Sequence, residues 1–261
     1  MSMSLFRRAE FQFWRCAEPR AVFEWQSFYL LKPLLKRLPQ GDGHPVIVFP
    51  GFASTDRSTK PLRNLLTDLG YDARGWGLGA NMMFDQHLED EMVAMVKDIS
   101  DTAGTKVSLI GWSLGGLFAR EIAKVCPDHV RGVISMGSPI SAESKHTNAN
   151  SLFRAFNGEQ TDVERMRKST LAEAPPVPTT SIYSKTDGIV AWEGSVQKQG
   201  PQTENIEVPA SHLGIGVNPL VMVILADRLA QPEGQWQRFK RTGFGRLFYK
   251  APPYEDHSNE T

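Results

Sequence analysis

The sequence predicts one α/β domain built on a mostly parallel sheet of about six strands flanked by helices. Three observations predict it. Short uninterrupted apolar runs alternate with amphipathic helical segments, as strand–helix–strand units with right-handed crossovers require. One of these runs, Val107–Ile110, passes through a glycine-lined corner into a helix. An aspartate and a histidine then follow two later strand segments, at the sheet edge where open α/β sheets place their sites.

The chain length of 261 residues is enough for a full core around such a sheet. Lys and Arg together number 29 and so do Asp and Glu, so the formal charge is zero and gives no electrostatic case for nucleic acid. Cys16 and Cys126 are too few and too isolated for a disulfide framework; free thiols are expected, with a single bridge the alternative. The first residues hold no apolar stretch of signal-peptide length, and no run reaches the ~20 apolar residues of a spanning helix. The expectation is therefore a cytoplasmic chain. There is no H-E-x-x-H, no Cys–His cluster, and no G-x-G-x-x-G at a first strand–helix turn, so neither a metal nor a nucleotide cofactor is expected. The sequence carries no mark of oligomeric state.

Residues 1–39 read as short helices broken by Pro19 and Pro33. They are rich in Phe, Trp and Leu, and their Arg and Lys residues outnumber Glu10, Glu18 and Glu24. Two readings follow: a basic amphipathic segment in peripheral contact with a membrane, or helices packed on the domain of residues 40–261. The three glutamates dilute the charge and favour packing. Val46–Phe49 is the first strand, Lys60–Gly70 a helix with Pro61 in its first turn, and Tyr71–Trp76 the second strand. Phe84–Ser100 repeats Leu88, Met92, Met95, Val96 and Ile99 at helical spacing. Val130–Met136, Thr179–Ser184 and Asn205–Val208 are later strands, and Pro219–Leu229 a final helix. The polar stretch 141–178 breaks the alternation and is read as a small helical lid, the alternative being a plain surface excursion. After Leu229 a basic run, Arg238–Arg246, has no placement that the sequence fixes.

The chemistry centres on Gly111-Trp112-Ser113-Leu114-Gly115-Gly116. A serine at such a corner takes a strained backbone to present its hydroxyl, and the helix that follows aims free N–H groups at whatever reacts there. This is the G-x-S-x-G nucleophile elbow in strand–turn–helix context. A serine hydroxyl is a poor nucleophile at neutral pH and needs a base, which needs an orienting acid. Asp187, after the strand ending at Ser184, and His212, after the strand ending at Val208, hold the right addresses. The remaining histidines, His44, His87, His129, His146 and His257, lack that post-strand position.

The elbow and the order Ser113…Asp187…His212 resemble the α/β-hydrolase family of serine esterases and lipases. The run Pro50-Gly51-Phe52…Asp56…Leu69-Gly70-Tyr71…Gly75-Trp76-x-Leu78-Gly79-x-Asn81 is similar to a bacterial esterase/lipase-like subgroup. The resemblance implies backbone N–H groups of Phe52 and Leu114 as an oxyanion hole. It makes Gly51-Phe52 a Gly-X type of hole, usual for medium or long acyl chains. It also places Asp56 and Asn81 near the pocket mouth, bracing loops or touching substrate. Trp76 and Trp112, with Met82 and Met83, suggest an apolar acyl group. The expected activity is hydrolysis of carboxylic esters with apolar acyl groups, the substrate a small or lipid-like ester. The alternatives are an acyltransferase or thioesterase using the same triad and, from another class, a non-catalytic membrane-associated interaction protein.

Overall fold

The computed structural model describes residues 12–82, 85–140, 173–241 and 243–250. Strands β1 (Pro45–Phe49), β2 (Asp72–Gly75), β3 (Val107–Trp112), β4 (Val130–Met136), β5 (Thr179–Tyr183) and β6 (Thr203–Glu207) form one sheet in the order β2-β1-β3-β4-β5-β6. Every pairing is parallel. The order reverses at β1, so the chain winds outward from β1 in both directions.

Strand β1 and most of β3 and β4 read as apolar runs because both faces of the sheet are covered there. Val46, Val48, Ile110, Ile134, Met136, Ile182 and Ile206 face one layer; Ile47, Phe49, Val107, Leu109 and Val133 face the other, in the two-residue period of a strand. The first layer holds α1 (Ala21–Leu35), α2 (Asp56–Asp68) and α5 (Pro219–Leu229), through Phe28, Leu35, Leu62, Leu65 and Val221. The second holds α3 (Gln86–Ala103) and α4 (Leu114–Val125), through Met92, Val96, Phe118 and Ile122. Only β2 alternates between exposed and half-buried residues, as an edge strand does.

Some helix bounds differ from the sequence reading. Helix α2 begins at Asp56 and not at Lys60, because the Thr55 hydroxyl caps it by accepting from the Arg57 N–H; Pro61 therefore lies inside the helix. Helix α3 starts after the Asp85 cap and runs to Ala103, where Gly104 takes the left-handed conformation that ends it. Pro33 does not break α1. Pro33 and Tyr29, whose carbonyl loses its helical donor, both lie on the exposed side, where that carbonyl is open to solvent. Of the expected lid, residues 141–172 lie outside the described residues, as do residues 1–11 of the N-terminal segment. Cys16 is exposed and Cys126 buried, and both are free.

Candidate active site

The carboxyl ends of β1, β3, β4, β5 and β6 lie along one edge, and the loops that leave them build the site. At the end of β3, Ser113 has φ 54° and ψ −121°, a conformation that L side chains rarely adopt. Its N–H donates to the Met136 carbonyl at 2.9 Å and its own carbonyl accepts from Gly116, so both sides of the corner are held. The corner works only with glycine beside it: a Cβ on Gly115 would lie 2.5 Å from the Phe49 and Pro50 carbonyl oxygens, with no side chain to yield.

Three side chains from three strand ends converge. The Ser113 Oγ is 3.0 Å from His212 Nε2, and His212 Nδ1 is 2.7 Å from Asp187 Oδ2. All three are buried. The second oxygen of Asp187 accepts from the N–H groups of Ile189 at 2.8 Å and Val190 at 2.7 Å, which fixes the carboxylate against its own loop. Asp187 thereby holds His212 in the tautomer whose Nε2 accepts from serine. Burial pulls the His212 pKa down, but the charge of Asp187, its hydrogen bond and the charge of Glu18 outweigh it, and the pKa is raised above the ordinary 6.5.

The loop after β1 runs over Ser113: a Cβ on Gly51 would lie 3.5 Å from the Ser113 Cβ. Ala53 has φ 53°, and the loop is held by Ala53 N–H to the Asn81 carbonyl at 2.8 Å and by Asn81 N–H to the Ser54 carbonyl at 2.9 Å. Asn81 is fully buried, and its amide donates to the Pro50 carbonyl at 2.7 Å. Asp56 accepts from the N–H groups of Trp76 at 3.0 Å and Gly77 at 3.1 Å, pinning the turn after β2. Both residues brace loops. Leu114 opens α4 and no side chain caps that end, so its N–H points along the helix axis toward the serine side.

The two tryptophans have different places. Trp76 is 1% exposed, stacks on Phe118 at 6.4 Å between ring centres and donates to the Gly79 carbonyl; it lies in the core between β2 and α4. Trp112 donates its indole N–H to the His212 carbonyl at 3.0 Å, so it steadies the histidine loop.

Three groups at the site are not found by sequence reasoning. Gly137, at the end of β4 with φ 56°, lies under the Asp187–His212 pair: a Cβ there would be 3.1 Å from Asp187 Oδ2 and 3.3 Å from His212 Nδ1. Its place after a buried strand was a usable signal. Glu18 accepts from the N–H groups of Gly188, His212 and Leu213. Glu24 accepts from the backbone and hydroxyl of Ser211 and from Asn218 Nδ2. A second serine–histidine pair, His44 Nε2 to Ser108 Oγ at 2.8 Å with Asp42 beyond, lies at the opposite end of the sheet. Ser108 there is a strand residue paired with Val46 and Gly132, where the β3–β4 register shifts, and no helix among the described residues begins at it; this chain ties β3 to the segment before β1.

A family model described as palmitoyl protein thioesterase matches residues 45–199. That span runs from β1 to the loop before β6 and holds Ser113 and Asp187, while His212 lies beyond it. Among solved structures, the chain is similar to Aspergillus fumigatus lipase B, with 22% identity over 74% of this chain and a TM-score of 0.58. The match spans about half, 54%, of that lipase. It is also similar to a pyrethroid hydrolase from Sphingobium faniae JZ-2, at 19% identity over 73% of this chain and 98% of that one, TM-score 0.54. Est1E from Butyrivibrio proteoclasticus matches at 16% identity over 73% and 89% of the two chains, TM-score 0.52. The fold is the α/β-hydrolase fold.

Proposed function

We propose that this chain, which belongs to the palmitoyl protein thioesterase family, is a serine hydrolase that cleaves carboxylic esters of apolar acyl groups through an acyl-enzyme. The observation that carries the reading is the unbroken line from Ser113 Oγ through His212 to Asp187, at 3.0 and 2.7 Å. In the reaction, Ser113 Oγ bonds to the acyl carbon while His212 Nε2 takes its proton. Negative charge moves onto the carbonyl oxygen, where the N–H groups of Phe52 and Leu114 receive it; one such donor is worth about 3–4 kcal/mol. The tetrahedral intermediate collapses, and the imidazolium returns its proton to the leaving alkoxide. Water then attacks the acyl-serine with the same histidine as base, and free acid leaves. Asp187 stays ionised throughout and stabilises the imidazolium.

The family match favours a second reading of the same site, in which the leaving group is a thiolate. A thiolate needs less help from an acid than an alkoxide does, so the two differ in how far the reaction leans on His212. The test is hydrolysis of p-nitrophenyl esters and of acyl thioesters, short to long acyl, by wild type and Ser113→Ala. Activity on oxyesters that Ser113→Ala abolishes is the expected result. Higher kcat/KM on thioesters of matched acyl length would select the thioesterase. Turnover that survives Ser113→Ala would overturn the triad reading, and acyl transfer to an added alcohol in preference to water would make it an acyltransferase.

The substrate class also bears on the N-terminal segment. No helix among the described residues is long and apolar enough to cross a membrane. Along α1, Val22, Phe23, Tyr29, Leu30 and Leu34 are exposed on one stripe, with Phe13 exposed before them. The only carboxylates of residues 12–39, Glu18 and Glu24, turn inward onto the loops of the site, while Arg15, Lys36 and Arg37 are exposed. Neither Glu18 nor Glu24 therefore dilutes the outer face of the described residues, where Lys36 is paired with Asp68 at 3.2 Å and Arg15 and Arg37 are exposed. We propose that this apolar and cationic face seats on an anionic lipid surface. Co-sedimentation with phosphatidylglycerol vesicles, lost in Phe23→Glu/Leu30→Glu, is expected. Equal sedimentation of wild type and variant, or none with either, would remove the lipid surface and leave residues 1–11 or a second chain as the cover.

A further inference from the structure

Glu18 sits in the 3-10 turn Glu18–Arg20 that precedes α1, far from the site in sequence, yet it is only 5% exposed. One carboxylate oxygen accepts from the Gly188 N–H at 2.9 Å and from the His212 N–H at 3.0 Å; the other accepts from the Leu213 N–H at 3.0 Å. Gly188 follows the acid and Leu213 follows the base. A single buried carboxylate thus bonds to both loops that carry the acid–base pair. The surrounding contacts repeat the pattern. The Arg20 guanidinium donates to the carbonyls of Thr186 and Ala210, one in each loop, and stacks at 4.8 Å over the Trp14 ring. The Gly188 backbone presses so closely on the Trp14 carbonyl and Arg15 that a Cβ would meet them at 2.5–2.6 Å.

We propose that Glu18 is a positioning residue of the site, setting the acid loop and the histidine loop relative to each other through backbone N–H bonds to both. This rests on the reading of Ser113, Asp187 and His212 as the triad. An aspartate and histidine on separate loops keep a 2.7 Å bond only if the loops cannot drift apart, and the carboxylate joins them one residue away from each side chain. Its charge also reaches the imidazole. Among the groups around His212, Asp187 and Glu18 raise its pKa; Ser113 and the Trp112 ring are neutral, and Arg20 and Glu24 engage the backbone at Ala210 and Ser211. Loss of the Glu18 charge therefore lowers the pKa of His212. Because the neutral imidazole is the base, the acid limb of the rate moves to lower pH.

The experiment compares wild type, Glu18→Gln and Glu18→Asp by kcat and KM against pH on a p-nitrophenyl ester, beside thermal unfolding of each. Glu18→Gln keeps the size and two acceptor bonds but turns a donor toward the Leu213 N–H. The expected result is a kcat lower by about tenfold or more, KM changed by less than about twofold, and an acid limb displaced to lower pH. Glu18→Asp keeps the charge and shortens the reach, so kcat falls while the acid limb stays. A kcat within about twofold of wild type in either variant overturns the proposal. So does a loss of activity in Glu18→Gln with an unmoved acid limb and a lowered melting temperature, which marks a merely structural residue. Should Glu18→Gln not fold, Glu18→Asp decides alone. Failure of the triad reading itself shows separately, as wild-type activity indifferent to Ser113→Ala.

Discussion

Gly137 offers a way to disturb the Asp187–His212 pair without substituting either member. An alanine there meets two costs. The first is backbone: with φ 56°, the position lies in the left-handed region, where an L residue loses ~1–2 kcal/mol. The second is contact: the new methyl would lie 3.1 Å from Asp187 Oδ2 and 3.3 Å from His212 Nδ1, so the bonded pair must give by a few tenths of an ångström. Gly104 supplies the control, since its φ is 64° and a Cβ there meets nothing within 4 Å. The two alanines share the backbone cost and differ in the contact. At ~1–2 kcal/mol each should lower Tm by roughly 2–8 °C for a chain of this size. Gly104→Ala should then keep its kcat/KM, whereas Gly137→Ala should lose about tenfold to a hundredfold in kcat, the usual scale for slight misplacement of catalytic groups. The assay is p-nitrophenyl ester hydrolysis below both melting temperatures. A Gly137→Ala enzyme that matches Gly104→Ala in kcat would refute the assignment of chemistry to that pair.

Other consequences can be measured directly. Asn81→Ala removes the buried donor to the Pro50 carbonyl, and should cost ~1–3 kcal/mol of stability by urea unfolding and lower kcat more than it raises KM, because the loop carrying Phe52 loosens. Gly188→Ala forces the acid loop off the backbone of Trp14 and Arg15; limited proteolysis should then release residues before α1 faster than in wild type. His44 works through pH. Burial, with the charge of Arg131, lowers its pKa against the opposing Asp42, so the unfolded chain binds a proton that the folded one resists. Its contribution is fully present above the ordinary value of 6.5 and is lost as pH falls below it. The Tm gap between wild type and His44→Gln should therefore narrow from pH 7 to pH 5, and a widening gap would contradict this.

What the sequence made legible follows from what each residue must touch. The elbow is readable because sterics demand glycine at fixed offsets from Ser113. Asp187 and His212 are readable because each directly follows a buried strand, and a parallel sheet brings such positions to one edge. Trp76 was less readable: the apolar periodicity of an edge strand does not tell which side the ring takes, and it went to the core against Phe118. Asp56 and Asn81 were placed near the mouth by resemblance, but their atoms are spent on backbone groups of neighbouring loops. The start of α2 has no apolar periodicity to mark it; it rests on the Thr55 hydroxyl, which accepts from the Arg57 N–H.

Glu18 was invisible for a different reason. A carboxylate taken from water costs several kcal/mol unless its oxygens find donors, and here the donors found are N–H groups of Gly188, His212 and Leu213. Backbone N–H groups are the same for every residue type except proline, so the partners leave no trace in the side chains of either loop. A paired arginine would have advertised the contact; a backbone nest does not. Nor does local sequence help, since an Arg-flanked glutamate in a basic, apolar segment reads as surface charge. The same logic says where the connection is vulnerable. Side-chain changes at Leu213 should leave it intact, whereas a change at Glu18, or a proline at 188 or 213, removes it. The N-terminal segment is thus joined to the loops of Asp187 and His212 by backbone atoms that no side chain in those loops announces.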